Sequence, residues 1–140
     1  MKILLVHDEM LNEALPVFAA YRDLTRVFVL DPAYVAREGW SLKRVQFIVD
    51  CLSEIPDVRV FHGSLAAVCD DLGASDIVTQ ETPNHAIRDW LASTKRAIQW
   101  EAEPQFVEFS GKLSRFTAYW KSVAPQWFSE SDLRSLESRR

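Results

Sequence analysis

A chain of 140 residues and 16.1 kDa is one domain's worth of protein, and with 48% hydrophobic and 26% charged residues it can bury a single sizeable core. The net charge of −4 and the pI near 5.4 exclude the broad basic surface on which nucleic-acid binding rests, so no strong direct contact with DNA or RNA is expected. Cys51 and Cys69 have no CxxC or Cys/His spacing, which excludes a zinc site or a disulfide framework, and both read as reduced, buried thiols. The opening "MKILLV" is too short for the apolar core of a signal peptide and no apolar run approaches membrane-spanning length, so a cytoplasmic protein without a membrane anchor is expected.

The first strand, "KILLV" (Lys2 to Val6), is almost continuously apolar, as a strand covered on both faces must be. A helical stretch, "NEALPVFAAYRD", leads to a second strand of the same character, "RVFVL" (Arg26 to Leu30), which stops at Asp31-Pro32 because proline cannot continue a ladder. Next, "SLKRVQFIVDCLSEI" places Leu42, Val45, Ile48, Val49, Leu52 and Ile55 on one helical face behind a Ser41 N-cap. After the third strand, "VRVF" (Val58 to Phe61), a helix capped by Ser64 and ended by Gly73 leads to the fourth, "DIVTQ" (Asp76 to Gln80). Asn84 caps one more helix before the fifth strand, "AIQW" (Ala97 to Trp100).

This alternation predicts an α/β fold: a Rossmann-like, doubly wound parallel sheet of about five strands in the order 3-2-1-4-5, with helices on both faces. Residues 1–113 are assigned to that domain and 114–140 to a C-terminal helical tail, irregular until about Ser114, then an aromatic helix, a break at Pro125 and a polar helix capped by Ser129 or Ser131. Phe116, Tyr119, Trp120, Trp127 and Phe128 are too many large aromatics for a solvated tail. They either pack back on the domain or form an interface with another chain.

In a doubly wound sheet, ligands bind beyond the carboxyl ends of the strands where the strand order reverses. That crevice falls between strands one and four. Its rims are His7, Asp8, Glu9 and Asn12 on one side and Gln80, Glu81, Thr82, Asn84 and His85 on the other, with Asp31 at the same edge one strand over. Asp31 has two readings, a ligand-facing carboxylate or a turn-forming cap for neighbouring amides. With only four glycines, no GxGxxG and no GxxxxGK[ST], close cradling of a pyrophosphate is not supported. His7 beside two carboxylates suggests a general base, but adjacent loop residues point in different directions, and no catalytic or metal-binding residue is assigned.

The stretches "RVFVLDP", "SLKRVQFIVDCL", "VRVFHG", "NHAIRDWL" and "SGKLSRFTAYWKSV" together resemble, in order and spacing, the N-terminal α/β domain of the DNA photolyase and cryptochrome family over about residues 1 to 128. In that family the domain holds a light-harvesting folate or deazaflavin, and a helical domain that follows the linker holds FAD and the lesion pocket. The resemblance therefore implies a stand-alone, non-catalytic small-ligand or antenna-chromophore binding domain. FAD and photolyase-type repair are not expected from this chain alone. It also implies an interaction subunit of a light-responsive or DNA-repair flavoprotein, partnered by a separate FAD-binding photolyase-like protein or by a second copy as a homodimer. The alternative is a small nucleotide-binding or stress-type α/β protein unrelated to light. Two departures bear on the ligand. The family's Arg-Asp-Leu-Arg run after the first strand survives only as Asn12, Ala14 and Leu15, without its arginines, and His85 stands where folate-binding members carry a carboxylate after Asn84.

Overall fold

Continuous apolar sequence in β1 (Lys2–Leu5) leaves Ile3, Leu4 and Leu5 without solvent contact, and β2 (Thr25–Leu30) is buried likewise at Val27, Phe28 and Val29. Side chains alternate across a strand, so burial of consecutive residues requires layers on both faces of the sheet. The computed structural model describes residues 1–103 and 116–137, the last two of these by backbone only. The expected boundary at 113/114 and the irregular stretch before it lie outside the described residues. The chain forms two compact units, Met1–Pro104 and Gln105–Arg140.

In the first unit, β1 and β2 are joined by β3 (Val58–His62), β4 (Asp76–Gln80) and β5 (Ala97–Glu101) in one all-parallel sheet ordered β3-β2-β1-β4-β5. The crossovers sort the helices by face, as right-handed connections require. Val17 and Phe18 of α1 (Pro16–Ala20) and Ile48 and Leu52 of α3 (Leu42–Ser53) pack with Leu4, Phe28 and Val78 on one side. Tyr34 of α2 (Pro32–Arg37), Leu65 and Val68 of α4 (Leu65–Asp71) and Ile87, Trp90 and Leu91 of α5 (His85–Ala92) pack with Ile3, Leu5, Val27 and Ile77 on the other.

The caps follow the sequence. Ser41, Ser64 and Asn84 accept the amides of Arg44, Ala67 and Ala86 through their side chains. Gly73, at φ 65°, ends α4 in a Schellman turn, with its own N–H on the Asp70 carbonyl and that of Ala74 on Cys69. Asp31 takes the second of its two readings, capping neighbouring amides as the N-cap of α2 with Pro32 at N1. Three expectations are corrected. The first helix is only five residues long, because Asn12 accepts the Ala14 amide in an Asx turn and Pro16, lacking an N–H, takes the first helical position. Leu42 is 85% exposed and Val49 42%, since the first turn of α3 begins at the carboxyl edge of the sheet and Val49 lies off the line of Ile48, Leu52 and Ile55. Cys69 is buried but Cys51 is only half-buried.

The second unit contains α6 (Phe116–Val123), a 3₁₀ turn at Ala124–Gln126 that carries Pro125, and α7 (Glu130–Glu137). Ser129 and Asp132 form a reciprocal capping box, each main-chain N–H donating to the other's side chain at 3.1 and 3.3 Å. Phe116 stacks on Trp120 at 6.1 Å, and Trp120 meets Phe128 at 5.8 Å.

Asp31 holds the first unit's carboxyl edge together. Its Oδ1 accepts the amides of Ala33 and Tyr34, and its Oδ2 accepts the Leu65 amide at 3.1 Å and the Trp90 indole N–H at 2.9 Å. Asp31→Ala is expected to destabilise the fold by about 2–4 kcal/mol, the sum of a lost cap and two stranded buried donors. Urea unfolding measures it, and a loss under about 0.5 kcal/mol, ordinary for a surface site, would contradict that role.

Candidate functional site at the strand-order reversal

β1 and β4 are neighbours whose connections leave in opposite directions, so a crevice opens beyond Leu5 and Gln80. The residues after β1 close much of it. His7 is 1% exposed, and its Nε2 lies 3.0 Å from the Gln80 carbonyl while its Nδ1 lies 3.2 Å from the Glu9 amide. A carbonyl only accepts and an amide only donates, so the ring is the neutral Nε2–H tautomer with both nitrogens engaged. Burial pushes its pKa below the ordinary histidine value, against the opposing pull of the Gln80 carbonyl and the Asp8 and Glu9 carboxylates.

Glu9 spans the crevice. Its carboxylate accepts the Thr82 hydroxyl and, at 3.0 Å, the Asn84 side-chain amide. Burial alone would raise its pKa; those two donors, with His7 and Arg44 nearby, hold the carboxyl below its usual range. Gln80 extends the bracing sideways, donating to the carbonyls of Glu101, the last residue of β5, and of Ala102 at 3.2 and 2.9 Å.

What remains open is a cavity of about 250 Å³ lined by His7, Glu9, Leu15, Gln80, Glu81 and Glu103. Four of the sequence-derived candidates, His7, Glu9, Gln80 and Glu81, are brought together there. Thr82 and Asn84 stand behind Glu9. Asp8 instead pairs with Arg44 at 2.9 Å, whose guanidinium lies over the Trp40 ring. Asn12 is exposed in its turn, His85 is exposed on the first turn of α5 and outside the lining, and Asp31 is 6% exposed with both carboxylate oxygens bonded within the protein. Leu15 and Glu103 were not among the site residues read from the sequence. The strand order held the signal for Glu103, because placing β5 beside β4 brings the loop after β5 to the same rim.

The rim is acidic. Glu9, Glu81 and Glu103 line it, and two arginines close by are engaged: Arg44 with Asp8, and Arg88 with the Thr82 carbonyl at 2.6 Å and Glu81 at 3.4 Å. A second, larger groove of about 450 Å³ lies at the ends of β2 and β3, lined by Leu30, Val35, Trp40, Val45 and His62 among others. Among the described residues, no helix is long and apolar enough to cross a membrane, and no group of three or more His, Cys, Asp or Glu side chains is placed to hold a metal ion.

Fold and site together define a doubly wound, all-parallel α/β protein with a small acidic cavity at its switch point. Comparison with protein-family models, with curated proteins and with solved structures finds no match.

The state of His7 has a measurable consequence. Above about pH 6.5 the imidazole is neutral in both folded and unfolded chains; below it the unfolded chain takes up a proton that the folded one refuses, so stability falls with pH until the depressed folded value is reached. His7→Gln removes this dependence, so the stability lost between about pH 7.5 and 5.5 is expected to be smaller in the variant than in the wild type. Urea unfolding at the two pH values checks it, and equal losses would mean that the ring is solvated.

Proposed function

We propose that the α/β unit is a non-catalytic, cytoplasmic small-ligand-binding module of the photolyase and cryptochrome kind, taking a compact, donor-rich heteroaromatic ring at the switch point. The observation that carries this reading is the cavity lined by His7, Glu9, Leu15, Gln80, Glu81 and Glu103. At about 250 Å³ it falls below the roughly 300–1,000 Å³ of pockets that hold drug-sized ligands, so it suits a bicyclic ring better than a whole dinucleotide.

Charge narrows the class further. Carboxylates only accept, and they match the amino and ring N–H donors of a pteridine or related ring, whereas phosphate groups meet three glutamates and, among the described residues, no arginine in the lining. A binding role is favoured over catalysis because His7, the residue best suited to act as a base, has both nitrogens engaged inside the protein.

A folate therefore fits the reading better than FMN, FAD or an adenine nucleotide. Thermal-shift and calorimetric titration with tetrahydrofolate, an 8-hydroxy-deazaflavin without its phosphate-bearing tail, FMN and ADP is expected to stabilise the chain with one of the first two only. Glu81→Gln and Glu103→Gln should each weaken that binding by about tenfold, near 1.4 kcal/mol. Stabilisation by ADP alone would move the protein to the nucleotide-binding class.

The tail favours a second reading, an interaction subunit. Phe116, Tyr119, Trp120, Trp127 and Phe128 line one apolar cavity of about 420 Å³, and Phe116, Trp127 and Phe128 are exposed. The partner this suits is a separate helical, FAD-binding photolyase-like protein. Trp120→Ala with Trp127→Ala should abolish co-sedimentation with such a protein while leaving ligand binding in the first unit unchanged; co-sedimentation unaffected by the pair would remove the reading.

A further inference from the structure

We propose that the free edge of β3 pairs with the same edge of a second copy across a two-fold axis through Val60, joining two five-stranded sheets into one. β3 ends the sheet, with β2 on one side and no strand of the described residues on the other. Its hydrogen-bonding phase is fixed by the Gly63 N–H, which donates to the Leu30 carbonyl of β2 at 3.2 Å. Main-chain groups alternate sides along a strand, so Arg59 and Phe61 also turn theirs toward β2, and Val58, Val60 and His62 direct N–H and C=O outward.

An antiparallel copy centred on Val60 uses that phase fully. Val60 faces Val60 of the second copy, Val58 faces its His62 and His62 its Val58, and each of these pairs exchanges two main-chain hydrogen bonds. A register centred on Arg59 or Phe61 forms only two such pairs within Val58–His62, and one centred between residues sets outward groups against inward-turned ones. The side chains agree with the hydrogen bonds. Arg59 falls opposite Phe61 of the other copy in the closer, non-hydrogen-bonded type of pair, repeating across the axis the cation–aromatic contact that Arg59 already makes with its own Phe61 at 5.1 Å. No like charges are opposed.

Val60 is 51% exposed, an apolar residue at the centre of an edge strand that has no proline, lysine or glycine to discourage pairing. On α3, Val45 shares a groove with Leu30 and His62, and the exposed Leu42 and Val49 continue it at helical spacing. The opposite edge is dressed differently. On β5, Gln99 and Glu101 are tied by polar contacts to Lys2 and Tyr21. A two-fold axis consumes the β3 edge in both copies, so pairing stops at the dimer.

Proline at position 60 provides a selective test. The Val60 N–H serves no bond to β2, and an edge strand tolerates proline where its N–H faces outward, so Val60→Pro removes the central pair and leaves the internal ladder intact. Sedimentation velocity of the full chain over a wide concentration range is expected to show a monomer–dimer equilibrium, with the dimer dissociation constant raised roughly tenfold or more in Val60→Pro and in Val60→Lys. Amide exchange should show Val60 and His62 protected at high protein concentration and exposed on dilution. If Val60→Pro loses its circular-dichroism signal, Val60→Lys carries the test. A wild-type monomer at the highest concentration, or a dimer that survives both substitutions and yields only to Trp120→Ala with Trp127→Ala, overturns the proposal.

Discussion

One buried anion organises the carboxyl edge of the sheet. Asp31 receives four donors from three elements: the first turn of α2, the first turn of α4 and the indole of α5. Removing a carboxylate from water is costly. The cost is offset here because every donor is fixed by the backbone or by a packed ring, and because two of the groups are helix N-termini whose dipoles favour negative charge. Burial alone would raise its pKa, and the donors from Trp90, Leu65, Tyr34 and Ala33 hold it below the usual carboxylate range. The same contact sets the aromatic layer above β2 and β4, where Tyr34 stacks on Trp90 at 4.7 Å and meets Trp40 edge-on at 5.6 Å. Helices anchored in this way leave two openings along the edge, the small cavity between the loops after β1 and β4 and the groove at the ends of β2 and β3.

Those loops brace each other with polar contacts. His7 links β1 to the end of β4, Glu9 links the same loop to Thr82 and Asn84, and Gln80 carries the bracing on to the end of β5 and Ala102. A crevice that elsewhere would admit a dinucleotide is thereby reduced to a small cavity with an acidic rim. Pre-bracing of this kind would lower the ordering cost of the binding proposed above, and it is the reason that proposal names a compact, donor-rich ring.

The strands and their order were legible because β1 and β2 are apolar without interruption, and only layers on both faces explain that. The caps at Ser41, Ser64, Asn84 and Gly73 were legible because each sits where a periodic apolar run begins or ends. Asp31 carried two readings, ligand-facing carboxylate or cap, and the distant Leu65 amide and Trp90 indole that occupy its Oδ2 decide for the second. His7 shows the same dependence on distant residues. Its neighbours in sequence are Asp8 and Glu9, which suggest a solvated base, whereas the group that fixes its tautomer is a carbonyl 73 residues away. Leu15 and Glu103 reach the cavity through tertiary placement alone, and Leu42 and Val49 satisfy the helical period without having sheet beneath them.

The location of a bound ring is the most direct measurement. In a ¹H–¹⁵N correlation spectrum of the full chain titrated with tetrahydrofolate, saturable shifts should concentrate at Glu9, Leu15, Glu81 and Glu103 and leave Gly39, Trp40 and His62 in place. Shifts centred on Trp40 and His62, or none at saturating ligand, would contradict a ligand site at the strand-order reversal.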